Sequence, residues 1–265
     1  MKNEPIFRGV ATALITPLTE TGIDFERFGS LIDWQIEEGI NAIVIAGTTG
    51  EGSTLTDEEH REAIRFAVER AAGRVPIIAG TGSNDTAYAV SLTKYACEVG
   101  ADAMLVVTPY YNKATQKGLI AMYNAIADAS TKPVILYNVP SRTGVGIEPD
   151  TYAALAAHPN IAAIKEANSD ISKIVKTAAL VGDKLDMYSG YCYRSLLYIH
   201  SGTGRRNACT CLCTSLVCGT GVCRGITCTY FPAGYECILV GTYRNRCARS
   251  CQTDSLYRNF SRYCG

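Results

Sequence analysis

Lys165 closes an apolar run within NIAAIKEANS, residues 160–169. Ile161, Ala162, Ala163 and Ile164 show no helical periodicity and no polar face, so the run reads as a strand buried on both faces. Side chains alternate along a strand, which puts Ala163 and Lys165 on one face and Ile164 on the other. A lysine in that place has two readings. Either it marks where the strand meets water, or it is a desolvated amine with a lowered pKa, a nucleophile toward carbonyls. Its neighbours decide between them. Tyr137 ends a second apolar run, PVILYNVP, and a phenol within hydrogen-bond reach can relay the protons that an imine requires. GTTGE, residues 47–51, brings the hydroxyls of Thr48 and Thr49 and turn N–H groups just before a helix, a setting for a carboxylate. Threonines between glycines serve equally as turn and cap residues. Arg142, in NVPSRTG, can fork onto a second carboxylate, although a single arginine is more often a surface charge. Tyr110 and Tyr111 follow Pro109, where loop packing would also explain them.

Seven apolar runs carry or precede these residues: VATALI, AIVIAG, VPIIAG, AMLVVTP, PVILYNVP, IAAIKEA and LDMYSG. Amphipathic stretches of helical length lie between them. In DFERFGSLIDWQIEEG, Phe25, Phe28, Leu31, Ile32 and Ile36 share a face and Gly39 supplies the stop. A capping box, Thr56 to Glu59, opens the next helix and Gly73 ends it; DTAYAVSLTKYACEVG stops likewise at Gly100. Further helices are predicted over 115–129, 148–156 and 170–181. Strand and helix alternate every ~25–35 residues, the size of a parallel βα unit. An open doubly wound sheet and a closed (β/α)₈ TIM barrel both fit that rhythm. A dinucleotide-binding sheet would carry G-x-G-x-x-G after its first strand, where this chain has TPLTETG. Polar and aromatic residues gather at the C-terminal ends of several strands, and only a barrel brings all those ends to one mouth. The barrel is therefore the favoured fold.

The 265 residues balance to zero net charge, which points to neither nucleic acid nor an anionic membrane as partner. No apolar run reaches membrane-span length, and MKNEPIFRGVATALITP lacks a signal-peptide pattern. A soluble, cytoplasmic protein is expected. The average conceals a break near residue 190. Residues 1–190 contain a single cysteine, Cys97, and residues 191–265 contain eleven. The latter segment has nine arginines, no lysine, and only Glu236 and Asp254 as acids, hence a charge of +7 against −7 for the rest. Residues 1–190 are expected to form the barrel, strands one to seven with the site, and residues 191–265 an atypical Cys/Arg-rich tail.

The motifs GTTGE (47–51), TPYYNK (108–113), YNVPSRTG (137–144) and IKEA (164–167) stand in the order and spacing of the dihydrodipicolinate synthase family, also called 4-hydroxy-tetrahydrodipicolinate synthases. This family belongs to the lyases that include N-acetylneuraminate lyase. The resemblance covers about residues 6–190, and the arginine of YNVPSRTG favours the dihydrodipicolinate branch. It implies a (β/α)₈ barrel followed by a small helical segment. The implied reaction condenses pyruvate with L-aspartate 4-semialdehyde to 4-hydroxy-tetrahydrodipicolinate, in diaminopimelate and lysine biosynthesis. Lys165 matches the Schiff-base lysine. Tyr137 matches the centre of a proton relay, with Thr48 linking it to Tyr111, which in the family reaches in from a neighbouring subunit. A homodimer, commonly within a homotetramer, is implied. Thr49 matches a binder of the pyruvate carboxylate, Arg142 a binder of the semialdehyde carboxylate, and Gly190 the end of the seventh strand beside the site. No cofactor or metal is implied. A related pyruvate-dependent 2-oxo acid lyase is the alternative. The resemblance also matches Asn84, His60 and Tyr110 to a lysine-inhibition pocket. Gly52, Asp57 and Tyr88 stand where lysine-sensitive members carry serine, histidine and glutamate, so weak inhibition is expected.

After YSG, residues 188–190, the tail departs from the family. Its cysteine gaps and single histidine, His200, fit a zinc module poorly, and a disulfide module conflicts with a cytosolic enzyme. A diverged eighth unit using LLYIHSG and GVCRGIT is a further reading. Arginine without lysine, abundant cysteine and lost periodicity fit an out-of-frame translation best. On that reading the eighth unit and helical segment are replaced, the barrel is open between its first and seventh strands, and the alternative to an active lyase is an inactive, partly folded product, or a binding protein, built on the same site.

Overall fold

Eight short strands rich in Ala, Val and Ile form the centre of the molecule. They are β1 (Val10–Ala13), β4 (Ala42–Ile45), β5 (Ile77–Gly80), β6 (Ala103–Val107), β7 (Val134–Asn138), β8 (Ile161–Glu166), β9 (Asp186–Ser189) and β10 (Thr210–Thr214). The computed structural model describes residues 4–190 and 210–214. All neighbouring pairs are parallel, and the order β1-β10-β9-β8-β7-β6-β5-β4 closes into a barrel. A two-stranded antiparallel ribbon, β2 (Leu18–Thr19) and β3 (Gly22–Ile23), follows β1. The helices are α1 (Phe25–Glu37), α2 (Asp57–Ala71), α3 (Thr86–Glu98), α4 (Gln116–Ala129), α5 (Pro140–Thr143), α6 (Pro149–Leu155) and α7 (Ile171–Val181). Every helix expected from periodicity is present, within a residue or two of its anticipated ends. Thr56 and Glu59 form the anticipated capping box on α2, with both reciprocal hydrogen bonds. The ribbon and the single turn α5 carry no periodic signal and were not expected.

One expectation is corrected. The ring is not open between its first and seventh strands: β10 pairs with β9 through Thr210↔Tyr188 and with β1 through Val10↔Cys211 to Ala13↔Thr214. Neither segment considered for an eighth strand is the one used, and both lie outside the described residues. Closure matters because an unpaired parallel edge exposes a row of unsatisfied N–H and C=O groups. The remaining tail readings, zinc, disulfide or frame, fall on residues outside those described.

Alternation along each strand makes two cores. Ala42, Val44, Ile78, Ala103, Leu105, Ile135 and Ala163 fill the barrel, and Phe7 stacks on Tyr188 at 4.5 Å within the same cluster. Ile43, Ile45, Ile77, Met104, Val106, Leu136 and Ile164 face outward against Phe28, Ile32, Ile64, Leu92, Leu119 and Ile126 of the helices. β8 departs from strict alternation at its start. Val134 pairs with Ile161 but Ile135 pairs with Ala163, so β8 uses one extra residue there. That bulge lets Ile161 and Ile164 both pack outward while Ala163 joins the inner cluster. It also sets the face on which Lys165 emerges.

Candidate active site

Lys165 and Tyr137 are register partners on adjacent strands, and Tyr188 of β9 is the next residue in the same row. All three belong to the inner face. Lys165 is only 8% exposed and Tyr137 7%. The Lys165 Nζ lies over the Tyr137 ring, 4.2 Å from its centroid. Of the two readings of this lysine, the strand meeting water and the enclosed amine, the burial fits the second.

A cavity of about 270 Å³ opens at this C-terminal mouth and is lined by Thr48, Tyr110, Tyr137, Arg142, Thr143 and Val139, among others. Thr48, Tyr137 and Arg142, taken from two separate motifs, thus share one concave space. Thr49, half-buried, stands beside Thr48 but does not line it. Gly190 donates its N–H to the Glu166 carbonyl at 2.8 Å, one residue past Lys165. A Cβ at Gly190 would come within 2.8 Å of the Ala167 Cβ, so only glycine allows β9 to approach there. Tyr111 is 91% exposed and outside the cavity.

The loops that carry these groups are strained and tied down. Ala46, at the end of β4, has φ +51° and turns the chain into GTTGE. Glu51, Tyr111 and Lys113 also take positive φ in mouth loops, each at a cost of ~1–3 kcal/mol. Such strain persists only where surroundings enforce it: Thr16 Oγ1 donates to the Gly50 carbonyl at 2.8 Å, and the Gly52 N–H to the Gly47 carbonyl at 3.2 Å. GTTGE is not immediately before a helix. Residues 52–56 intervene, and the first turn of α2 is satisfied by its own Thr56–Glu59 box. Anion donors at this loop are therefore the turn amides, not a helix N-terminus. Arg142 sits on α5, exposed, and the turn is fastened below it: Thr108 Oγ1 donates to Thr143 Oγ1 at 2.9 Å. Tyr110 and Thr143 are lining residues that the sequence did not single out for this cavity. The double tyrosine after Pro109 was the available signal for Tyr110; Thr143 gave none.

Beneath the mouth, Glu166 is buried at 4% exposure on the outer face of β8. Burial pushes its carboxyl above the usual carboxylate range, opposed by hydrogen bonds from Asn138, Asn168 and Tyr152. A second cavity of about 270 Å³ adjoins the first and includes Gly52, Asp57, His60, Asn84, Tyr88 and Tyr110 in its lining. These are the six residues that the resemblance tied to lysine inhibition. Asp57 is gripped by Arg61, whose Nε lies 2.9 Å from both carboxylate oxygens and holds the carboxyl below its usual range. Burial first, with Asp57 nearby, pushes the Tyr88 phenol up to about 12.

A closed parallel barrel with an enclosed lysine and a tyrosine at its C-terminal mouth defines the class: a TIM-barrel-like α/β protein with a polar-rimmed pocket. A profile of the dihydrodipicolinate synthetase family matches residues 6–205, and the chain belongs to that family. It is 52% identical over 187 residues to the 4-hydroxy-tetrahydrodipicolinate synthase of Thermoanaerobacter sp. strain X514, covering 70% of this chain and 63% of that protein. The chain thus spans less than two thirds of that curated relative. A dihydrodipicolinate synthase crystal structure from Bacillus anthracis superposes with a TM-score of 0.74 at 40% identity, covering 81% of this chain and 71% of that one. A dihydrodipicolinate synthase variant described as monomeric gives 0.73 at 37% identity, covering 79% and 69%.

Proposed function

We propose that the chain is a class I lyase that condenses pyruvate with L-aspartate 4-semialdehyde through an imine on Lys165, giving 4-hydroxy-tetrahydrodipicolinate for diaminopimelate and lysine biosynthesis. The observation that carries this reading is the enclosed Lys165 amine over the Tyr137 ring, beside a cavity rimmed by Thr48 and Arg142. The Lys165 amine attacks the pyruvate carbonyl carbon, and the carbonyl oxygen leaves as water. Loss of a methyl proton then gives an enamine, whose carbon attacks the aldehyde carbon of the semialdehyde. The new alkoxide takes a proton. The semialdehyde amine finally attacks the imine carbon, closes the ring and returns Lys165 as a free amine. Tyr137 relays the protons, with Thr48 as its link to Tyr111. Thr49 and the turn amides of GTTGE hold the pyruvate carboxylate, and Arg142 the semialdehyde carboxylate. Gly190 keeps β9 close beside Lys165. The substrates supply every bond that changes, so no metal or organic cofactor takes part.

Tyr111 is held outward by a left-handed backbone (φ +74°) and is suited to enter the site of a second copy, in a homodimer or homotetramer. Sedimentation would report that assembly; the monomeric relative makes the monomer a real alternative outcome. Among the described residues no helix is long and apolar enough to cross a membrane, and the enzyme is assigned to the cytoplasm with its substrates.

The adjoining cavity is read as a lysine pocket that has lost its grip. Its one carboxylate, Asp57, is already bound by Arg61, and Tyr88 offers a neutral phenol. Activity is expected to survive millimolar lysine; a collapse at submillimolar lysine would refute this.

The test of function is the mass of the intact chain after incubation with pyruvate and borohydride, followed by peptide mapping. One adduct confined to Lys165 is expected. Soluble protein without an adduct would overturn the reading.

A further inference from the structure

Glu166 and Asn138 are the residues that follow Lys165 and Tyr137, and both turn to the outer face of the barrel wall. Asn138 is fully buried and Glu166 nearly so. Asn138 Nδ2 donates to both carboxylate oxygens, at 3.0 and 3.2 Å. The Tyr152 hydroxyl on α6 donates to Oε2 at 3.1 Å, and the Asn168 N–H to Oε1 at 2.8 Å. The other end of Asn138 is also engaged: its Oδ1 accepts from the Ile147 N–H at 3.1 Å. Asn138 therefore ties β8 to the segment that carries Arg142. Backbone bonds run alongside, from the Ala167 N–H to the Asn138 carbonyl and from the Gly190 N–H to the Glu166 carbonyl, both 2.8 Å. Filling the same space with apolar side chains would be at least as stabilising as burying a carboxylate. What the polar pair supplies instead is direction, because hydrogen bonds constrain angle as well as distance.

We propose that Glu166 and Asn138 are a positioning pair. Fastened to each other behind the wall, they fix how β8 and β7 aim Lys165 and Tyr137, and where the 139–147 segment holds Arg142. Neither touches substrate. The inference rests on the imine chemistry proposed above, and misplacement by ~1 Å at such a centre costs about 100-fold in rate.

The test uses the full chain with Glu166→Ala, Glu166→Gln and Tyr152→Phe, and with Tyr123→Phe as control. Tyr123 is buried in the same outer layer, and its hydroxyl donates to the Val106 carbonyl at 3.3 Å. Borohydride trapping is followed across pyruvate concentrations, and hydrogen exchange across residues 138–147 and 166–168. Glu166→Ala is expected to lower the maximal trapping rate about 100-fold, with the half-saturating pyruvate concentration within about threefold of the parent. Glu166→Gln, which keeps the shape and an acceptor oxygen, should restore the rate to within about tenfold of the parent. Tyr152→Phe, the variant least able to disturb folding, should lose about tenfold, and the control should lose nothing beyond about threefold. Exchange at Ile147 and Asn168 should quicken in Glu166→Ala. A maximal rate in both Glu166→Ala and Tyr152→Phe equal to the control, a glutamine variant no better than alanine, or unchanged exchange at Ile147 and Asn168 would each overturn the pair. If the parent itself traps no pyruvate, the imine reading fails on its own. Exchange then still decides whether the pair fastens these segments.

Discussion

At the residue scale, two groups separate binding from chemistry. Arg142 lines the cavity from α5, a separate element from the strands β7 and β8 that carry Tyr137 and Lys165. Arg142→Ala should therefore leave imine trapping with pyruvate intact while lowering kcat/KM for the semialdehyde about 100-fold, as expected for loss of a charged hydrogen-bond pair. Equal loss in both assays would place Arg142 at the first step instead. His60 shows the opposite use of a titratable side chain. Burial, more than any other cause, holds its imidazole below the ordinary 6.5, and its Nε2 lies 2.8 Å from the Gly80 carbonyl. The unfolded chain takes up a proton near 6.5 that the folded chain resists. Stability is then fullest above that pH and declines below it, because the unfolded state binds more protons. Melting temperatures at about pH 7.5 and about pH 5.5 should drop more on acidification in the parent than in His60→Gln.

At the element scale, the α2 capping box and the β8 bulge do different work. The box is local: Thr56 accepts from the Glu59 N–H and Glu59 from the Thr56 N–H. Thr56→Ala should cost about 1 kcal/mol in chemical denaturation, and it should leave pyruvate trapping unchanged, since residues 52–55 separate the box from GTTGE. A larger loss would mean that α2 also holds the mouth loop. The bulge is non-local, for it exists only as a mismatch between β7 and β8. Nothing in IAAIKE marks it. Had the pairing stayed one to one, Ile161 and Ala163 would share a face, and either the isoleucine would point inward or Lys165 outward.

For the whole molecule, closure is the decisive property. β1 and β9 each find a partner in β10, so no barrel edge is left unpaired. A chain ending at Gly190 should aggregate or lose its cooperative melt, whereas one ending at Ser215, which retains β10, should stay monodisperse by light scattering. Equal behaviour of the two would show that the ring does not need this eighth strand.

The sequence by itself determined what is local. Helix stretches, caps and buried strand runs follow from short-range periodicity and from residue chemistry, and they were legible to within a residue or two. The alternation that sends Ala163 and Lys165 to one face was legible too. So were the motifs that single out Thr48, Tyr137, Arg142 and Lys165, because reactive residue types at strand ends are visible without coordinates. Tertiary structure alone decided what depends on pairing between distant segments. It closed the ring with Thr210–Thr214, a stretch with no alternating pattern to announce it. It placed the bulge in β8, put Tyr110 and Thr143 on the cavity wall, and set Asn138 against Glu166 across 28 residues of chain. The reason is physical: a hydrogen bond or register match between remote strands is a property of two segments at once, and neither one carries a record of the other.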